Sequence, residues 1–280
     1  MAGLDGRSCK NPEPPRLASR HPQHYSAKVK VLEPVLHRQT QAVAAAGRVA
    51  DRTKRSLSVI RWLWVLLLPW LTTSCVSTMT NYRGHEVFNP LYLFYLESPK
   101  RDQWQMPQQV LDALQLSKGS VVADIGAGGG YFTEKLCRRV GASGHIYATD
   151  VQDVMIRKLE KRVQKRGLAN VSVIRGEFND PKLPAGKCDW LFLSSVYKEI
   201  DGRIAYMTTA RQALKNKGRV AIIEYRVDAK APGPPRKYRL PEQQVIAEME
   251  AAGFRLVERF DFLPREYSLV FEPMDSKSRP

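Results

Sequence analysis

Cysteine is scarce in this 280-residue chain, and its four residues, Cys9, Cys75, Cys137 and Cys188, lie far apart. None belongs to a Cys-x-x-Cys pair, and the five histidines form no cluster with ligand spacing, so neither a zinc site nor a disulfide framework is indicated. Cys137 and Cys188 are expected to be small buried side chains. Acidic residues are also in short supply, 28 against 44 Lys and Arg, for a formal charge of +16. A nucleic-acid-binding protein would gather such charge on one stripe with aromatics between. Here residues 1–55 hold eleven Lys/Arg against four Asp/Glu, or +7, and the remaining +9 is spread over 225 residues. That pattern favours solubility and weak attraction to anionic surfaces, with no specific nucleic-acid binding. Missing too is an apolar run of the roughly 20 residues that a helix needs to cross a bilayer core of about 30 Å.

The longest apolar run is Trp62 to Leu71, broken at Pro69, within "RWLWVLLLPWLTTSC" (61–75). Arg48, Arg52, Lys54, Arg55 and Arg61 precede it. A basic segment, a short apolar stretch and small polar residues before Cys75 match a secretory signal or membrane anchor over 56–75. "TTSC" also resembles a bacterial lipoprotein cleavage box in which Cys75 is lipidated, although Leu71 lies one place too early. This predicts membrane association through residues 56–75, at a bacterial cell envelope, and a true start codon downstream of Met1. An apolar helix packed on the domain is the alternative. Residues 1–55, with "NPEPPR", "HPQH" and an Ala run, lack the periodicity of a core element and are expected to be disordered. Residues 76–106 read as a linker and N-terminal cap, 107–272 as one folded domain and 273–280 as a tail.

Within that domain the pattern is regular. "PQQVLDALQL" (107–116) has helical spacing. Strand-like runs follow at 120–125, 145–150, 171–175, 189–195 and 219–225. Helical stretches lie between them at 131–140, 151–167 and 201–218, the latter two ending at Gly as a C-cap does. Such alternation predicts an α/β fold with a doubly wound parallel sheet. The tail differs: a helix over 240–254 precedes two strands, 255–264 and 266–271, whose tight link permits only an antiparallel hairpin. The expected result is a Rossmann-like, seven-stranded mixed sheet.

The first strand, "VVADI", runs into "GAGGG" (126–130). No Gly-Lys-Ser/Thr follows, so a P-loop is excluded, and Tyr131 occupies the place where a dinucleotide fingerprint needs a small residue. The spacing is Gly126-x-Gly128-x-Gly130 after Asp124, and the second strand ends in Asp150. A carboxylate before the loop would repel a pyrophosphate and suits a ligand with a cationic ammonium group. Glycines let backbone approach that ligand closely. An acidic residue at the end of the second strand can accept hydrogen bonds from both ribose hydroxyls.

This pattern resembles the class I S-adenosylmethionine-dependent methyltransferases. "GEFNDPKLP" (176–184) and "LKNKGRVAIIEYR" (214–226) extend the resemblance to roughly residues 100–272, with Asn-Lys replacing the family's Pro-Gly in the second. It is similar to bacterial enzymes related to ubiquinone and menaquinone biosynthesis. The resemblance implies S-adenosyl-L-methionine as cofactor, held by Asp124, Gly126, Ala127, Gly128 and Gly130 and by Asp150 and Val151. It places Glu177 and the Phe178 backbone at adenine, with Asp180 as the alternative acid, and Ser194 beside the cofactor. Of Tyr197, Lys198 and Glu199 after the fourth strand, Tyr197 and Glu199 are the candidate catalytic residues. No metal is implied, and the DNA-adenine tetrad is absent because Ser194-Ser195-Val196-Tyr197 stands in its place. A small-molecule acceptor is expected, and the basic loop 226–241 suggests an anionic one, unless it is a solvated connector. A methyltransferase-like binding module without catalysis is the competing class.

Overall fold

Runs such as Val121–Ile125 are apolar toward both faces, which suits a strand covered by helices on each side. The computed structural model describes residues 79–230 and 233–274 and forms seven such strands into one sheet. They are β3 (Val121–Ile125), β4 (His145–Asp150), β5 (Val171–Arg175), β6 (Cys188–Ser194), β7 (Leu214–Tyr225), β8 (Phe254–Phe260) and β9 (Glu266–Pro273). Their order is β5-β4-β3-β6-β7-β9-β8, with β9 antiparallel to both neighbours and the other pairings parallel. The sheet and its C-terminal antiparallel hairpin are therefore as the sequence implies. Chain order reverses between β3 and β6, which is where a doubly wound sheet binds its ligand.

Side-chain alternation along each strand divides the core in two. Ala123, Ile125, Leu191, Leu193, Val220 and Ile222 pack against Met207, Val245 and Met249 from α6 (Arg203–Ala210) and α7 (Glu242–Ala251). Val122, Phe192, Ala221 and Ile223 pack on the other face. There they meet α3 (Pro107–Ala113), α4 (Tyr131–Val140) and α5 (Asp153–Arg166) through Val110, Leu111, Phe132, Leu136 and Leu159. Truncating Leu136 or Leu191, both fully buried, would cost about 2–5 kcal/mol. Cys137 and Cys188 are buried as expected.

Three expected boundaries differ in the structure. The helix expected over 201–218 ends at Ala210 and turns once as a 3-10 helix over Arg211–Ala213. Residues from Leu214 already belong to β7, because Leu214 pairs with Cys188 before a register shift. The segment expected to be linker and cap contains a hairpin, β1 (Met79–Tyr82) with β2 (His85–Phe88), whose turn places Arg83 and Gly84 at positive φ. Two short helices follow, α1 (Leu93–Leu96) and α2 (Arg101–Gln105). β9 extends to Pro273, the first residue of the expected tail. The segments over 1–55 and 56–75, Cys75 included, lie outside the described residues. Among the described residues no helix is long and apolar enough to cross a membrane.

Candidate active site

A cavity of about 470 Å³ opens over the switch point. Its floor is the loop that joins β3 to α4, and the chain must bend there without side chains in the way. Gly126 has φ +68°, and a Cβ on it would stand 2.3 Å from Val196 Cγ2. Gly128 also has positive φ, +56°, but a Cβ there would meet nothing within 4 Å. Gly126 is thus fitted to its neighbours, whereas Gly128 borders open space.

Asp150 ties the loop to the next strand. Its carboxylate accepts the Gly128 N–H at 2.9 Å through Oδ2 and the Gln152 N–H at 2.9 Å through Oδ1. The side chain is buried yet lines the cavity, so its remaining lone pairs face the ligand space. Burial pushes its pKa up to about 6, against the opposing effect of the two backbone donors.

Strand alternation turns Asp124 the other way. It shares the Val122 face, under α4, where Thr133 Oγ1 donates to it at 2.6 Å. Asp124 does not line the cavity; burial raises its pKa to about 6, with Thr133 and Arg101 acting in the opposite direction. The contact with a ligand ammonium expected of Asp124 is therefore not one its side chain is aimed to make. Asp124 instead ties the end of β3 to the first turn of α4 through Thr133.

Gly126, Ala127, Gly128, Asp150, Val151, Glu177, Phe178 and Ser194 all line the cavity, and Gly130 does not. Glu177 is exposed and pairs with Lys182 at 3.1 Å. The Phe178 ring stacks on His85 from the hairpin, with centroids 3.7 Å apart. Asp180 lies outside the wall, on Lys182.

Of the catalytic candidates, Tyr197 is misplaced by the sequence reading. It is fully buried in the core, its hydroxyl donates to Glu248 at 3.1 Å, and it does not reach the cavity. Glu199 does reach it, but its carboxylate is occupied in tying down the hairpin: Oε2 accepts the Phe88 N–H at 2.8 Å, and Oε1 accepts from Lys198 Nζ at 3.2 Å. Lys198 also lines the cavity and donates to the Ser195 carbonyl. Burial works to lower its pKa, but Glu224, Glu199 and Glu266 together hold it above the usual lysine value.

Several residues that sequence reasoning missed build the opposite wall. Arg101, buried on α2, stacks its guanidinium 3.8 Å from the centre of the Tyr131 ring and donates to Gln105 at 3.0 Å. Gln105 in turn donates to Glu266 at 2.7 Å and to Ser194 at 3.3 Å. Ser195 donates to the same Glu266 at 3.0 Å. Tyr95, Tyr131 and Tyr225 add aromatic surface beside Arg101 and Glu266, while Tyr206, also in the lining, lies within electrostatic reach of Asp150. In the basic loop, Gly233 and Pro234 reach the cavity. Two of its cations are engaged by protein groups: Arg226 pairs with Glu242 and Asp261, and Arg239 donates to the Pro234, Arg226 and Ala229 carbonyls.

A glycine loop pinned to a buried carboxylate at the switch point defines a site for a ligand with a ribose, in the manner of nucleoside-cofactor enzymes. A family profile described as a methyltransferase domain matches residues 116–258, half of the chain. The chain is 24% identical over 148 residues to a demethylmenaquinone methyltransferase from a Geobacillus species, covering 51% of this chain and 62% of that one. It is 26% identical over 116 residues to the ubiquinone/menaquinone biosynthesis C-methyltransferase UbiE of Pasteurella multocida, covering 41% and 43%. The chain therefore spans less than two thirds of the length of these curated relatives. Among solved structures, a SAM-dependent methyltransferase from Aquifex aeolicus is similar with a TM-score of 0.64 and 28% identity, covering 66% of this chain and 98% of that one. The chain belongs to the class I S-adenosylmethionine-dependent methyltransferases.

Proposed function

We propose that the protein transfers the methyl group of S-adenosylmethionine to a small, largely apolar, ring-bearing acceptor. The observation that carries this reading is that one cavity is lined both by Asp150 and Gly128 and by Ser195, Lys198 and several tyrosines. The residues fit the cofactor. Asp150 keeps acceptor capacity for ribose hydroxyls, and Gly128 leaves room where any Cβ would intrude on the cavity. Glu177 and Phe178, which the resemblance assigns to adenine, line the same cavity as Asp150 and Val151. When bound, S-adenosylmethionine supplies an electrophilic sulfonium methyl group. The chain's part is to hold the acceptor atom about 3 Å from it and to exclude water, which supplies much of the acceleration. The hairpin excludes water by closing the mouth through Glu199, Phe88 and the His85–Phe178 stack.

The acceptor is neutral on entry. Two cations lining this wall, Arg101 and Lys198, already have protein partners in Gln105 and Glu199, and Arg226 and Arg239 of the basic loop are held by other protein groups. This replaces the anionic acceptor suggested by loop composition. Residues 56–75 are read as the signal or anchor that places the enzyme at a bacterial envelope, on the strength of the basic segment before Trp62–Leu71 and the Cys75 box. A reporter fused at residue 90 in a bacterial host checks this: a soluble, unanchored reporter contradicts it.

Calorimetric titration of S-adenosylmethionine and S-adenosylhomocysteine into the full chain tests the main reading. Asp150→Ala should weaken binding by about 1–3 kcal/mol, the cost of orphaned hydrogen bonds. Absence of binding by folded wild-type protein would leave only a methyltransferase-like scaffold.

A further inference from the structure

Glu266 is a fully buried carboxylate at the start of β9, and cofactor binding gives it no role. Burying such a group is expensive, and an apolar residue would serve packing as well or better. It sits one side chain behind the cavity wall. Ser195, which lines the cavity, donates its hydroxyl to Glu266 Oε1 at 3.0 Å. Gln105 donates to Oε2 at 2.7 Å and is itself oriented by Arg101, whose Nε donates to the Gln105 carbonyl at 3.0 Å. Ser195 holds φ at +60°, a left-handed conformation that costs a non-glycine residue about 1–2 kcal/mol and that clusters at functional sites. Its N–H is fixed on the Ile223 carbonyl at 2.8 Å.

We propose that Ser195 and Glu266 form a proton relay that ionises a phenolic or enolic hydroxyl of the acceptor inside the cavity. The proposal rests on the methyl-transfer reading and names its substrate class. A base is needed only where the acceptor must lose a proton, and Ser195 is a cavity-lining hydroxyl hydrogen-bonded to a buried carboxylate that can take one. The aromatic surface opposite suits a planar ring. In the step, the acceptor hydroxyl proton passes to Ser195 Oγ while the Ser195 hydroxyl proton passes to Glu266 Oε1. The acceptor oxygen, or the carbon conjugated to it, forms the bond to the methyl carbon as the carbon–sulfur bond breaks with its electron pair going to sulfur. Glu266, now a neutral acid, returns the proton through Ser195 to water after product leaves. Ser195 is the catalytic residue, and Glu266 acts through it.

The electrostatics are consistent with this exchange. Burial pushes the Glu266 pKa up to about 7, the Ser195 bond and Arg101 act in the opposite direction, and Glu224 on β7 adds to the rise. Lys198 beyond β6, Tyr131 on α4 and Tyr225 on β7 also face it. A group poised near neutrality can both take and release the proton.

The test measures S-adenosylhomocysteine release from S-adenosylmethionine by the full chain with two probe acceptors at neutral pH. Phenol keeps its proton in water, and pentafluorophenol has lost it. Glu266→Gln and Ser195→Ala should each slow phenol methylation by about 10²-fold or more and pentafluorophenol by less than about tenfold. Glu266→Asp should recover part of the phenol rate. The wild-type phenol profile should rise with pH through the Glu266 titration, and the Glu266→Gln profile should not. Retained S-adenosylhomocysteine binding certifies the fold of each variant, and Ser195→Ala serves if the buried Glu266→Gln does not fold. Equal losses on both probes would overturn the relay, as would wild-type protein that binds the cofactor and leaves phenol unmethylated. Failure of wild-type protein to bind the cofactor would instead overturn the methyl-transfer reading itself.

Discussion

The two halves of the cavity are built on different principles. The cofactor half is mostly backbone: a short loop of glycines, two N–H groups and one carboxylate, Asp150, twenty-two residues from its partner Gly128. The acceptor half is made of side chains brought together from across the chain, Gln105 with Glu266 over 161 residues and Ser195 with Glu266 over 71. A backbone site needs particular residue types at fixed local spacing. A side-chain site needs only that the fold deliver compatible groups to one place. The first leaves a motif, and the second leaves none.

The largest expected effect separates two glycines of the same loop. Gly126→Ala combines a left-handed backbone with a Cβ inside contact distance of Val196, at about 1–2 kcal/mol for the first and about 1–3 for the overpacking. Gly128→Ala carries only the backbone part. Thermal unfolding of the two variants should differ accordingly, and equal losses would show that the loop is not fitted to Val196 as described.

Next comes pH. Asp150 is raised to about 6 by burial, so cofactor affinity should fall by up to about tenfold per unit as pH drops below that value, and Asp150→Asn should flatten the profile. Stability has the opposite sign. Asp124 and Asp150, both raised to about 6, and Glu266, raised to about 7, hold protons more tightly folded than unfolded. Their contribution is therefore most favourable below the ordinary carboxylate range and is lost as pH rises through those folded values. Denaturation midpoints followed from pH 5 to pH 8, in wild type and Glu266→Gln, check the sign; a midpoint carried upward by these groups would contradict it.

The smallest effect concerns the hairpin. Glu199→Ala removes the acceptor of the Phe88 N–H and one carboxylate beside Lys198. Exchange of the Phe88 amide should quicken and cofactor affinity should fall by about 0.5–1.5 kcal/mol, with the fold retained. Unchanged exchange would mean that Glu199 is not what closes the mouth.

Much of the sheet was legible because buried parallel strands read as apolar runs: β4 and β5 lie at the residues the sequence predicts. α4 matches as well, with apolar residues at helical spacing. The join between α6 and β7 was not legible. "ALKNKG" satisfies a helical pattern, and only the pairing of Leu214 with Cys188 makes it a strand. The β1–β2 hairpin had a signal in Arg83-Gly84, a two-residue turn with both φ positive, but strands of four residues are too short to show alternation. The loop and Asp150 were recognisable in the site, and Tyr197 was wrongly placed there. Proximity to β6 in sequence cannot show that its side chain points to the core. Arg101, Gln105, Ser195 and Glu266 have no local pattern that joins them.

A crystal structure of the full chain with S-adenosylhomocysteine is the most direct test of the central claim, that one cavity holds cofactor against the glycine loop and acceptor against the aromatic wall. It should show both ribose hydroxyls on the Asp150 carboxylate, with the sulfur facing Ser195 and the tyrosines. Ribose bound away from Asp150, or a cofactor lying across the aromatic half, would contradict the division of the site drawn here.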